Sequence, residues 1–347
     1  MKSLKKISLI ALLLISSQAF AVQQCLVTNL PDVDNCLTPA PAIGTDQVES
    51  DLSFLDTVTY TGDGGAFRFV CKPAWFGQYD PMVRPGEPGM MHHHTGAGNT
   101  AITAYTNLDN IRSLPGARST CGSGTTNLSA YWWPSFIDTI ENKVLEPFQV
   151  VIYYKRMYNQ NQEIMVPIPV GLRMIAGDAK RAIAPSQYDD TYKFTCDQAG
   201  NSKTIPPCAQ NHLLSLVISF PNCVKQSNAL ISPENPHGMV LDSANHKDHL
   251  SYPFFDYAAW SAGNPFYFVC PATHPLQIPH ITYNLHYRMS KSQGSAAVAL
   301  SCTMTSAGIL WCPHADVVAG SEQQAATRIV NLIKRGKDGG TISYNGN

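Results

Sequence analysis

Charge is scarce in this chain: Asp, Glu, Lys and Arg make up 14% of its 347 residues, against roughly a quarter in an average globular protein. The 24 basic and 25 acidic residues leave a formal net charge of −1 and no basic stripe. Nucleic-acid binding, which needs such a stripe to neutralise phosphates, is therefore excluded. After the first 21 residues no apolar run reaches the about 18 residues of a membrane-spanning helix, so no transmembrane span is expected. Walker, G-x-G-x-x-G, H-E-x-x-H and G-x-S-x-G motifs are all missing, which removes the commonest nucleotide, zinc-protease and serine-hydrolase signatures. No C-x₂₋₄-C pair exists either, so a thiolate zinc site is not expected.

What is present points first to export. Lys2, Lys5 and Lys6 precede an apolar run from Ile7 to Ile15, and Ala19-Phe20-Ala21 offers a small-x-small cleavage site. Residues 1–21 therefore read as a secretory signal peptide, with an extracellular or periplasmic destination. Their removal takes away three lysines and no acid, which moves the net charge from −1 to −4. All ten cysteines follow this segment, and an even count in an oxidising compartment reads as a disulfide framework. Short loops favour Cys25–Cys36, Cys196–Cys208 and Cys302–Cys312, leaving Cys71, Cys121, Cys223 and Cys270 to pair at longer range.

Residues 22–50 form a Pro/Asn/Asp-rich strap, residues 51–336 a single domain without linker or repeat, and 337–347 a polar tail expected to fray. Strand-like runs rich in Val, Ile, Tyr and Phe recur at Ala66–Cys71, Phe148–Tyr154, Leu213–Phe220, Phe266–Cys270, Ile281–Arg288 and Ala296–Thr303. Asn107–Leu114 suits a short helix. A second helix is predicted after Ser321, with Ser321 and Gln324 as a capping box, Ala325, Ile329, Leu332 and Ile333 as its apolar stripe and Gly336 as its stop. The expected fold is mainly β: an antiparallel, jelly-roll-like β-sandwich with one or two short helices, braced by disulfides.

Histidine spacing marks the candidate chemistry. His92-His93-His94, His246-Lys247-Asp248-His249, His274, and His314-Ala315-Asp316 are grouped. Residues i and i+2 of a strand face one side, so His92 with His94, and His314 with Asp316, each aim two groups at one point. Three neutral imidazoles with an open position would hold zinc or copper, which makes His92, His94 and His314 candidate metal ligands. The same residues could instead line a metal-free polar site or serve as unconnected structural histidines. Asp316, Asp80 and His249 are candidate acid–base groups, because glycosidic hydrolysis needs flanking carboxyls. Tyr131 and Trp132 are candidate sugar-stacking rings, although neighbouring residues of a strand face opposite sides and core packing competes for both.

These motifs resemble a secreted family known as a domain of unknown function, DUF1996. The resemblance runs through Asp80-Pro-Met-Val-Arg-Pro-Gly86, His92-x-His94 with Gly98-Asn99, Tyr131-Trp-Trp-Pro134, Pro169-Val-Gly-Leu-Arg-Met-Ile-Ala-Gly-Asp178, Phe220-Pro-Asn-Cys223, His246-Lys-Asp-His249, Cys270-Pro with His274-Pro275, and His314-Ala-Asp316. Val224-Lys225-Gln226 stands where the family usually has Trp-Asp-Gly. The family label implies no reaction. Arg173 and His274, within these motifs, complete the candidate substrate-binding set. The expectation is a secreted enzyme acting on a polysaccharide or glycoconjugate; the alternative is a non-catalytic carbohydrate-binding or cell-surface module.

Overall fold

A computed structural model describes residues 65–121, 124–181, 190–289, 294–304, 311–336 and, as backbone, 340–343. The signal peptide, the strap and Cys25–Cys36 lie outside the described residues. Twelve strands build two large sheets: β1 (Ala66–Cys71), β2 (Pro73–Gly77), β3 (His94–Gly98), β4 (Ala130–Pro134), β5 (Gln149–Lys155) and β6 (Arg173–Gly177) come first. They are followed by β7 (Tyr192–Cys196), β8 (Ala199–Ser202), β9 (Leu213–Ser219), β10 (His280–Arg288), β11 (His314–Val318) and β12 (Gly340–Ser343). The seven-stranded sheet runs β8-β7-β9-β10-β5-β1-β12 and the five-stranded sheet β2-β3-β4-β11-β6. Every pairing is antiparallel except β1 with β12. The tail expected to fray thus contributes an edge strand, with Phe67 in register with Gly340.

The alternating residues of both sheets meet in one core. Phe67, Phe69, Ile152, Tyr154, Leu216 and Tyr283 point inward from the large sheet; Tyr131, Trp133, Met174, Ala315 and Val317 answer from the small one. Polar contacts also cross this core, the Tyr283 hydroxyl donating to the Asp316 carbonyl at 2.7 Å among them. The Tyr131 and Tyr154 hydroxyls lie 2.9 Å apart, and Trp133 Nε1 donates to the Tyr287 hydroxyl at 2.9 Å. The antiparallel β-sandwich is therefore the observed fold, held by Cys71–Cys121, Cys196–Cys208, Cys223–Cys270 and Cys302–Cys312. Each bridge contributes roughly 2–4 kcal/mol by constraining the unfolded chain.

Local details depart from the sequence reading. Among the described residues three α-helical segments occur, at Tyr257–Ser261, Ser301–Met304 and Gln323–Lys334. The last, α1, buries Ala325, Ile329, Leu332 and Ile333 as expected and ends at Gly336 with φ of 66°. Its capping box does not form, because the Ser321 hydroxyl donates to Asn127 Oδ1 at 2.9 Å and Glu322 takes the cap position. The run at Ala296–Thr303 keeps only Val298–Leu300 extended, since Ser301 N and Oγ are drawn to the Ser135 and His93 carbonyls. Asn107 caps a single 3₁₀ turn at Leu108–Asn110.

The small sheet has a second buried face. Trp75, Trp132, Ala130 and Val318 on that face pack under Tyr79, Met82, Ile102, Leu108 and Ile111 of the segment that follows β2 and β3. One row crosses the sheet in register: Trp75, Gly96, Trp132, Asp316, Ile175. Glycine at position 96 leaves room for the Trp75 indole, since a Cβ there would sit 2.0 Å from Trp75 Cε2. Gly96→Ala is expected to cost about 1–3 kcal/mol through overpacking, read by urea denaturation; a loss below about 0.5 kcal/mol would contradict this packing.

Candidate metal centre

The covered face of the small sheet collects the chemistry. β3 supplies His94, β11 supplies His314 and Asp316, and the chain entering β3 supplies His92. Asp80 comes from the covering segment. All five are buried, His92 being the most exposed at 8%. The His92 and His94 rings lie 4.2 Å apart, His92 and His314 4.9 Å, and His94 and His314 5.8 Å. One ligand atom from each of the three falls within 4.8 Å of the others, and Asp80, His94 and Asp316 satisfy the same limit. His93 faces the other way, its Nδ1 2.8 Å from Ser135 Oγ.

Hydrogen bonds fix the imidazole tautomers. His94 Nδ1 donates to the Tyr79 carbonyl at 2.9 Å, and His314 Nδ1 donates to the Cys312 carbonyl at 2.8 Å. A carbonyl only accepts, so both protons sit on Nδ1 and both Nε2 atoms present lone pairs. This is the outer support that metal-bound histidines show. Nε2 of His92 and of His94, with both carboxylate oxygens of Asp316, is buried without a hydrogen-bond partner. Orphaned buried polar atoms are costly, and a cation beside the imidazoles would satisfy the two nitrogens. The residues therefore fit a metal ion. Since His94 has only Nε2 to offer, its two overlapping ligand sets describe one ion and not two.

Electrostatics agree. Burial, with mutual repulsion among the rings, holds His92 well below the usual imidazole range. Burial pushes His94 down to about 3 and His314 down to about 4. These ligands are neutral at any ordinary pH. Burial and the neighbouring Asp80 push the Asp316 carboxyl up well above its ordinary value. Asp80 is engaged differently: Oδ1 accepts from Met82 N and Val83 N at 2.8 Å each, and Oδ2 accepts from Trp132 Nε1 at 3.3 Å.

The other candidates lie elsewhere or play other parts. Tyr131 and Trp132 are both 0% exposed; neither offers a ring to a substrate in this structure. Tyr131 sits between the sheets, bonded to Tyr154 and Asn127, and Trp132 orients Asp80 from beneath the cover. Arg173 pairs with Asp242 at 3.1 Å and Asp109 at 2.5 Å. Both nitrogens of His249 are committed, Nδ1 to Ser243 Oγ and Nε2 to the Arg173 carbonyl, so it fastens the 242–249 loop to β6. His274 Nε2 donates to the Asp248 carbonyl at 3.2 Å. A residue absent from the candidate list, Lys247, belongs beside the cluster: Nζ donates at 2.6 Å to the carbonyl of Gly177, the residue in register with His314. Its signal was its place inside the His246–His249 motif.

A family described as a domain of unknown function (DUF1996) matches residues 80–320. The chain belongs to this family. Its match begins at Asp80 and ends beyond Asp316, so all five clustered residues lie within the family domain. Searches of the curated proteins and of the solved structures find no match. No helix among the described residues of this DUF1996 member is long and apolar enough to cross a membrane.

A pH dependence follows from the buried imidazoles. His249, His280 and His286 join the three clustered rings in lying below 6.5, each chiefly through burial. As pH falls below 6.5 the unfolded chain takes up protons that the folded chain refuses. Stability is thus fully present above 6.5 and is lost progressively toward pH 4. Asp316 acts in the opposite sense, one group against six. The Tm of chelator-treated protein is expected to fall steadily from pH 6.5 to 4, whereas a flat Tm over that span would contradict the burial of these rings.

Proposed function

We propose that this chain is an exported, metal-dependent enzyme that hydrolyses a polysaccharide or glycoconjugate, with one zinc ion held by His92, His94 and His314. The observation that carries this reading is the convergence of three imidazoles, two of them with Nδ1 fixed on backbone carbonyls. Three imidazoles with an open fourth position form a catalytic zinc ligand set. Bound there, zinc lowers the pKa of its water to about 7 and so supplies hydroxide at neutral pH.

The protein's own groups supply the rest. Asp316, buried beside the imidazoles with its carboxylate oxygens lacking a hydrogen-bond partner, is the group placed to pass a proton to a leaving oxygen. Asp80 is held rigid by its three N–H donors and sets the negative field that His314 and Asp316 experience. Lys247 adds a positive charge at the β6 side, where it draws the Asp316 carboxyl toward ionisation. The His92 side is the most open approach. Support for a sugar substrate comes from an aromatic excursion at residues 252–268. Phe254, Phe255, Tyr257 and Trp260 are all exposed there, and Phe255 packs on Trp260, Tyr267 and Phe268. Exposed aromatic faces of this kind stack on sugar rings.

That excursion also favours the second reading, a carbohydrate-binding module whose histidine centre is structural. Elemental analysis and turnover separate the two. The enzyme reading predicts one zinc per chain, lost in His94→Ala and His314→Ala, and product from a polysaccharide panel that chelation abolishes. Asp316→Asn keeps the ion and loses about 10²-fold or more in turnover, the usual scale for a general acid. Copper in zinc's place would reassign the ion. Sugar binding without product, abolished by Trp260→Ala, would overturn the enzyme reading in favour of the module.

A further inference from the structure

The opposite side of the sandwich carries a second cavity. Strand alternation puts Lys155, Lys193, Ser219 and Thr282 on the outer face of the seven-stranded sheet, away from the core. Register brings them together: Thr282 is opposite Ser219 on one side and Tyr153 on the other, two residues from Lys155. With Lys203 from beyond β8 they line a cavity of about 470 Å³. Asp190, exposed at its rim, is its one lining acid.

Two features of this cavity lack an internal explanation, the paired charges of Lys155 and Lys193 and the Thr282 hydroxyl. Lys155 and Lys193 have no ion-pair partner among the described residues, and burial together with the charge of Lys193 pushes the Lys155 ammonium down. Lys203 is fixed as a third positive wall, its Nζ donating to the Tyr192 carbonyl at 2.6 Å. Thr282 is 1% exposed and its Oγ1 has no hydrogen-bond partner. Like charges held near one another, as Lys155 and Lys193 are, are unfavourable unless an anion compensates them, and an unpartnered buried hydroxyl is a donor awaiting an acceptor. A tetrahedral oxyanion supplies both the charge and the acceptors.

We propose that this cavity binds a sulfate or phosphate group between Lys155, Lys193 and Lys203, with Thr282 and Ser219 as hydroxyl donors. Its volume exceeds that of the bare ion, so it also has space for the sugar that would carry such a group. The site shares no residue with the metal centre and stands without it.

Isothermal titration of chelator-treated protein, at constant ionic strength, tests this with inorganic sulfate, inorganic phosphate and N-acetylglucosamine 6-sulfate against chloride. Saturable one-site binding is expected, weakened about tenfold or more by Lys193→Met and by Thr282→Val. Lys193 is exposed and the threonine substitution is nearly isosteric, so both variants fold; their Tm values check this. Tighter binding of the sugar sulfate than of either free ion would identify a substituted glycan as the ligand, and equal binding would identify the free ion. Binding no stronger than that of chloride, or undiminished in both variants, would overturn the proposal. Loss of zinc leaves these outcomes unchanged, so the two sites fail or stand separately.

Discussion

Two backbone carbonyls decide what the histidine cluster can do. Tyr79 and Cys312 each take the Nδ1 proton of one ring, and that choice turns the Nε2 lone pairs of His94 and His314 inward. Reversed tautomers would point two N–H donors at each other and bind no cation. The carbonyls are themselves fixed by the fold. Tyr79 stacks on Trp75 with ring centroids 4.8 Å apart, and Cys312 is tied to Cys302. The chemistry of the site thus depends on the covering segment and a disulfide as much as on the ligands.

The same architecture explains why so polar a cluster can be buried. The five-stranded sheet has its inner face on the sandwich core and its outer face under a second apolar layer. His94, Trp132, His314 and Asp316 project into that second layer because they alternate with inward-facing Thr95, Tyr131, Trp133, Ala315 and Val317. Desolvation keeps the rings neutral and favours a protonated Asp316. Unfilled, such a cluster subtracts from stability; the covering layer and four disulfides are what offset it.

Spacing of two made half of the site legible in the sequence. His92 and His94, then His314 and Asp316, needed only strand periodicity to be paired. That these two pairs meet needed β4 between β3 and β11, which no local pattern encodes. Asp80 was visible as a motif residue, but its bond from Trp132 was not, because it spans 52 residues. Trp132 and Tyr131 were drawn toward the substrate by their residue type, yet sheet stacking on both sides leaves them no surface. The short disulfide loops Cys196–Cys208 and Cys302–Cys312 followed from proximity in the chain. Cys71–Cys121 and Cys223–Cys270 depended on which strands lie adjacent. Ser321 failed as a cap because Asn127, from a distant bridge, competes for its hydroxyl.

The central claim is that three Nε2 atoms face one ion. X-ray absorption at the edge of whatever metal the purified protein retains tests it most directly. The account predicts three imidazole scatterers at about 2.0–2.1 Å for zinc, reduced in number by His314→Ala. A retained metal with oxygen or sulfur scatterers alone, or no metal retained after loading with zinc or copper, would contradict it.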